Sequence, residues 1–202
     1  DGGGTNGSQF FITFEATPPG AHGLVMQPYW TAGLKQPSAK GALIGFGDVH
    51  ERSHVYRAII EGLAFALREG LEAIQKVSGT KVGALRVSGG ASQSDWICRI
   101  SADVMRLPLQ RGATYEASGL GAAMCAAHAL GWYPSVLEAA RAMSGPMQTF
   151  EPHEEASDLY DRLYGRVYKK MYGSLKHLYE DIRDITGYPE RPNGNQPHRS
   201  KR

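Results

Sequence analysis

Cysteine is scarce: Cys98 and Cys125 are the only two, each set in an apolar helical pattern. So few thiols exclude a disulfide-stapled secreted fold and suit free, buried side chains in a reducing compartment, which makes the expected setting cytoplasmic. Long apolar runs are also lacking. No stretch approaches a bilayer span, and the opening DGGGTNGSQ has neither the charged nor the apolar region of a signal peptide. Charge of one sign is missing too: 22 Lys and Arg against 20 Asp and Glu leave +2, too little to suggest nucleic acid or a membrane surface as partner. The seven histidines show no HxH or HExxH spacing, which argues against a zinc site. A chain that starts inside a glycine run, without methionine, reads as a piece of something longer. What is present is ordinary globular material. With 42% hydrophobic and 21% charged residues over 202 positions, it can fill one sizeable core or two small ones.

Periodicity predicts strands alternating with helices, hence an α/β domain. Residues 1–23 are rich in Gly, Thr and Pro, with one apolar stretch at 10–14 that reads as a strand, and are expected to be a truncated linker or partial strand region. Short strands are expected at 24–26 and at Ala42, Leu43, Ile44 and Phe46, separated by an irregular loop at 28–40 and closed by Gly47-Asp48. A helix is expected over 53–75, with Val55, Ile59, Leu63, Leu67, Leu71 and Ile74 on one stripe. Ala58, Gly62 and Ala66 form a second stripe of small residues, suited to close packing. A strand at 82–87, a helix ending near Arg106, and a strand at 107–110 come next. A small-residue helix at 116–130 stops at Gly131, and another helix follows at 134–143. The last helix is expected over 154–185, with Leu159, Leu163, Val167, Met171, Leu175, Leu178 and Ile182 inward. Tyr160, Tyr164, Tyr168 and Tyr172 lie at the edge of that face. Residues 24–188 are read as one domain and 189–202 as a disordered basic tail.

The segment with most chemistry in it is KVGALRV-SGGASQS-DWICRISADV, a strand, a Gly-Gly turn and a helix. Gly89 and Gly90 stand where the strand hands over to a helix N-terminus. Glycine lets backbone approach a ligand and take positive φ at little steric cost. Free N–H groups and the positive dipole end at the helix start favour an anion, such as a nucleotide phosphate. A plain tight turn has the same sequence, so the glycines alone do not decide.

Neighbouring motifs add a resemblance. GALIGF at 41–46, seven residues, then HVYRAIIE at 54–61 resembles the second signature of the FGGY carbohydrate kinases. ALRVSGGASQSDWICRISADVMRLPL is similar to the adenosine-side motif of those enzymes, and EASGLGAAMCAAHALG to the small-residue helix after it. PPGAHGLVMQPYW is similar to the segment that introduces this domain in pentulose kinases, and the likeness runs in register over roughly residues 18–145. It implies a ribonuclease-H-like domain of the actin and sugar-kinase superfamily, a mixed sheet flanked by helices. The function implied is that of the C-terminal, nucleotide-side domain of a kinase that moves the γ-phosphoryl group of ATP, with Mg2+, onto a sugar hydroxyl, xylulose or ribulose before glycerol.

Residue by residue, the resemblance places Gly89 and Gly90 against the nucleotide, with Ala91 and Gln93 in the same turn. Ser94 stands where glycerol kinases carry an asparagine toward the adenine end; it also suits the N-cap of the next helix. The catalytic aspartate and most sugar contacts are expected in an N-terminal domain with no counterpart in these residues, so the chain alone is expected to be inactive. No metal ligand is expected, and a homodimer is left open. Asp48 reads as a turn residue, Asp95 as a first-turn carboxylate and Asp103 as a helix residue; none matches the family's base. Glu61 is expected to be a paired helix carboxylate, His54 to hydrogen-bond at the helix surface, Glu116 to cap or start a helix or else to approach the nucleotide, and Trp96 to fill space beneath the turn.

Two other readings compete. The chain could be a non-catalytic nucleotide-binding or interaction module of the same fold. TNGSQFFIT at 5–13 also resembles a core string of the cyclophilin prolyl isomerases, but a closed β-barrel does not accommodate the helices read here. Asp1 to Thr5 has a faint likeness to an Asp-x-Gly-Thr phosphate loop without the strand that should precede it.

Overall fold

The computed structural model describes residues 17–30 and 38–188. The expected strand at 10–14, the loop at 1–5, the string at 5–13 and the tail at 189–202 lie outside the described residues. By its internal contacts the chain divides into two compact units. One comprises residues up to Ala66 and from Asp161 onward; the other is Leu67–Tyr160.

In the first unit β1 (Val25–Gln27) pairs antiparallel with β2 (Ala42–Ile44), Val25 opposite Ile44 and Gln27 opposite Ala42. Helix α1 (Arg52–Ser78) begins here. Its buried face differs from the stripe that periodicity favours. Arg57, Ala58, Glu61, Gly62 and Phe65 are buried, whereas Leu63, Leu67 and Ile74 are exposed. The small residues win because the helix backbone lies directly on β1. A Cβ on Gly62 would stand 2.5 Å from the Met26 carbonyl oxygen, so only glycine fits. Ala58 completes a core with Ala21, Leu24 and Met26.

Two charges on the same face are buried as a pair. Arg57 Nε donates to Glu61 Oε1 at 2.7 Å, with side chains 5% and 3% exposed. Both reach the segment before β1: Arg57 Nη1 donates to the Thr17 carbonyl at 2.6 Å, and the Gly20 N–H donates to Glu61 Oε1 at 2.9 Å. Gly20, Ala21, His22 and Gly23 all have positive φ, a left-handed turn that is strained at the two non-glycine positions. Ala21 is wholly buried, so packing and the Glu61 hydrogen bond hold the strain in place. The expected pairing of Glu61 holds.

His54 does not stay at the helix surface. It is buried, accepts a hydrogen bond at Nδ1 from the Glu51 N–H at 3.0 Å, and has the rings of His22 and His50 at 5.1 and 5.5 Å. Burial pushes its pKa below the usual 6.5; His22 and His50 add to the shift and Glu51 opposes it.

The expected final helix is built as α5 (Glu154–Leu163), a π turn at Tyr164–Tyr168 and α6 (Lys169–Thr186), of which the part from Asp161 belongs to this unit. Tyr164 and Tyr168 are buried and close on Phe65, with centroids 5.7 and 5.2 Å away, while Leu178 and Ile182 are exposed. Met171 is buried as expected, but much of the inward face is aromatic where Leu178 and Ile182 were expected to contribute. The Gln27 side-chain amide donates to the Tyr168 carbonyl at 3.4 Å, tying β1 to the π turn.

In the second unit β3 (Leu85–Val87) leads through α2 (Asp95–Met105) to β4 (Leu109–Arg111), and β3 and β4 pair in parallel, Leu85 opposite Leu109. Helices α3 (Ala117–Ala129) and α4 (Val136–Met143) precede β5 (Gln148–Phe150), which pairs antiparallel with β4. The sheet is thus mixed, in the order β3-β4-β5. Cys98 and Ala102 of α2 pack on Leu109 and Phe150, with Leu85 and Val87 alongside. Gly131 ends α3 at φ 76°, as expected. Cys98 is buried as expected, but Cys125 is exposed, because α3 buries only Met124 and Ala127.

Two outcomes follow from the first unit. Gly62→Val forces a side chain into the Met26 carbonyl and should lower unfolding stability by about 2–3 kcal/mol, measured by urea titration; an unchanged midpoint would refute the close approach. His54 binds its proton less tightly when folded, so its contribution is full above pH 6.5 and is lost as pH falls below that value. Urea midpoints should fall from pH 7.5 to 5, and the fall should be shallower in His54→Asn; equal slopes would remove His54 as a cause.

Candidate functional site

The parallel pairing of β3 and β4 requires a crossover, and that crossover starts at the Gly-Gly turn. Gly89 has φ 90° and ψ 178°, a region open almost only to glycine. Its N–H donates to the Tyr115 carbonyl at 3.1 Å; its own carbonyl accepts the Ser92 N–H at 3.1 Å and the Ser92 hydroxyl at 2.7 Å. These bonds shape Gly90–Gln93 into one 3-10 turn with Ser92 completely buried. Built Cβ atoms on Gly89 and Gly90 would meet nothing within 4 Å, so the space over both residues is open. Ser94 caps α2, its hydroxyl accepting the Ile97 N–H at 3.4 Å. Gly90, Ala91 and Gln93 are exposed, and Gly89 and Ser94 half-buried.

Beside the turn, within the same unit, lies an open pocket of about 380 Å³. Ser92 and Gln93 line it from the turn, Arg111 from the end of β4, Tyr115 from the segment after it, Pro146 from the approach to β5 and Gln148 from the start of that strand. Of the five residues singled out from sequence, only Gln93 lines this pocket; Gly89, Gly90, Ala91 and Ser94 form the turn at its edge. Arg111, Tyr115 and Gln148 escaped sequence reading. A cation at the carboxyl end of a strand, level with the turn, was a usable signal for Arg111. Gln148 offered none, because strand β5 was not anticipated.

Arg111 is the electrostatic centre of this region. Its Nη1 donates to the Ser92 carbonyl at 2.8 Å; Nη2 donates to Asp95 Oδ1 at 2.7 Å and also to Gln148 Oε1. The guanidinium carbon stands 5.1 Å from the centroid of the Phe150 ring. Asp95 is therefore a first-turn carboxylate engaged by a cation, as befits a structural group. The Cys98 thiol donates to the Ser92 carbonyl at 3.4 Å, and burial pushes its pKa up, so it remains a protonated, inert core group.

The other sequence candidates lie outside the turn. Asp48 is in a turn as expected. Asp103 is buried and accepts the His153 N–H at 2.7 Å. Glu116 occupies the N-cap position of α3 without a side-chain cap bond, and Trp96 is half-buried on α2. Among the described residues, no three His, Cys, Asp or Glu side chains gather to hold a metal ion, and no helix is long and apolar enough to cross a membrane.

Comparison with known proteins fits this geometry. The FGGY family of carbohydrate kinases, C-terminal domain, matches residues 13–130. A xylulose kinase of Staphylococcus epidermidis is 31% identical over 171 residues, 83% of this chain and 34% of that kinase. A glycerol kinase of Psychromonas ingrahamii is 38% identical over 128 residues, 63% of this chain and 24% of that kinase. Among solved structures, the xylulose kinase from Rhodospirillum rubrum superposes with a TM-score of 0.72 at 31% identity, covering 86% of this chain and 35% of that one. The chain spans about a third of the length of the xylulose kinases it matches. Its fold is that of the sugar kinases in the actin-like, ribonuclease-H-like superfamily, with the mixed sheet and flanking helices that the sequence implied. By profile, sequence and fold together, the chain belongs to the FGGY family of carbohydrate kinases, as its C-terminal domain.

Proposed function

We propose that this chain is the nucleotide-side part of an ATP-dependent carbohydrate kinase that phosphorylates a pentulose hydroxyl. One observation carries the reading: a turn at the carboxyl end of parallel strands, with open space over Gly89 and Gly90 and a pocket beside it. Ligands of open α/β sheets bind at such strand ends. Gly89, Gly90, Ala91, Gln93 and Ser94 are the residues assigned to the nucleotide. The two glycines admit it to the backbone, and the Gln93 amide and Ser94 hydroxyl can both donate and accept hydrogen bonds. Mg2+ prefers phosphate oxygens and water to an all-protein cage, and belongs to this proposal as part of the Mg-ATP substrate.

Phosphoryl transfer of this kind is mostly positioning and charge neutralisation, with a carboxylate to take the acceptor proton. That base and the sugar contacts are assigned to the part of the relatives' length that this chain does not match. A pentulose is favoured over glycerol because the xylulose-kinase match extends over 83% of the chain, against 63% for the glycerol kinase. The proposed setting is cytoplasmic, consistent with two free cysteines.

The 202-residue chain should bind labelled ATP weakly, with Kd on the order of millimolar, and should not phosphorylate xylulose. Turnover by the purified chain would overturn the division of labour. Gly90→Val places its side chain in open space, so the fold should persist while ATP binding weakens about tenfold, or about 1.4 kcal/mol. Equal titration curves for the folded variant and wild type would remove Gly90 from the site.

A further inference from the structure

We propose that Arg111 is a positioning residue for nucleotide binding: it clamps the 3-10 turn in the shape that keeps the surface over Gly89 and Gly90 open. The proposal rests on the nucleotide reading above and goes beyond it, because Arg111 lies on a strand, 21 residues after Gly90, outside the glycine motif.

Four features support it. The turn Gly90–Gln93 is only one turn long, too short to hold itself by helical hydrogen bonding. Its carbonyl at Ser92 is secured from outside by the Arg111 guanidinium at 2.8 Å. The same guanidinium grips Asp95, in the first turn of α2, and Gln148 on β5, so a single planar group ties the turn, the helix start and the neighbouring strand together. The side chain is 18% exposed and packs over Phe150, which limits its rotamers. A lysine presents one compact donor head, and cannot reproduce three hydrogen bonds directed in one plane.

Geometry also separates this role from direct binding. Three of the five guanidinium N–H donors are engaged by Ser92, Asp95 and Gln148, which fixes the group against the turn. Arg111 therefore acts on the ligand through the turn. Loss of the clamp should leave the Ser92 carbonyl with only the weak Cys98 thiol donor and loosen the amides of Gly89, Ser92 and Ser94, each of which is now bonded to a backbone carbonyl.

The test uses the whole chain with Arg111→Gln and Arg111→Lys, reading labelled-ATP affinity, backbone amide exchange and melting temperature. Arg111→Gln should raise Kd tenfold or more and speed exchange at residues 89–94, while amides of α4 stay protected. Arg111→Lys should recover only part of the affinity. A residue that is merely structural would lower the melting temperature and speed exchange throughout Leu67–Tyr160, leaving affinity in the folded protein unchanged; that result overturns the proposal. Unchanged exchange at 89–94 overturns it as well. If wild type binds no ATP, the nucleotide reading itself fails and Arg111 loses its assigned role with it. If wild type binds and Arg111→Gln binds equally, the clamp alone fails.

Discussion

The parallel pairing of β3 with β4 is the constraint on which the candidate site depends. Parallel neighbours cannot be joined by a hairpin, so the chain must leave β3, cross over through α2 and return. The departure has to be abrupt, because α2 packs Cys98 and Ala102 back onto Leu109 and Phe150. Gly89 makes the departure possible by adopting a backbone conformation that side chains exclude. Topology thus delivers, at one strand end, a glycine turn, a helix N-terminus and the last residue of β4. The chemistry proposed for the turn is a consequence of where the crossover begins.

The family signature over residues 41–61 plays a different part. The placing of its glycines is accounted for by packing in the first unit. A Cβ on Gly41 would come within 3.0 Å of the Trp30 ring, and one on Gly45, at φ 95°, within 2.3 Å of the Gly23 carbonyl. Glu61 is bonded to Arg57 and to the Gly20 N–H. A buried pair of this sort need not add net stability over apolar residues of equal size, but removing one partner leaves a charge stranded. The pair is best understood as fixing the left-handed turn before β1. The residues that identify the family most specifically therefore build a scaffold, while the less specific Gly-Gly turn carries the proposed ligand contact.

That contrast explains what the sequence made legible. Helix and strand positions followed from periodicity: the start of α1, the strand before Gly89, the stop at Gly131. The buried face of α1 did not, because burial there is decided by backbone approach at Gly62 and by a paired Arg57 and Glu61, neither of which a hydrophobicity pattern registers. Likewise, the burial of Tyr164 and Tyr168 against Phe65 within a π turn departs from the regular helical period on which the expected leucine stripe was drawn. Within the site, the turn was legible from local sequence. Arg111 and Gln148 were not, since their relation to Ser92 exists only once β4 and β5 pair.

Ser94 shows why a structural role and a ligand role need not compete. Its hydroxyl oxygen accepts the Ile97 N–H at 3.4 Å, a long bond that satisfies one donor at the start of α2. A serine hydroxyl has a second lone pair and a proton to donate, and capping uses neither. The proposed contact with the nucleotide would draw on that remaining capacity. An asparagine at this position would cap equally well and reach farther, so serine retains the helix start while shortening the reach toward the base. The cap is fixed by α2 itself; the hydroxyl proton and the second lone pair are left for specificity.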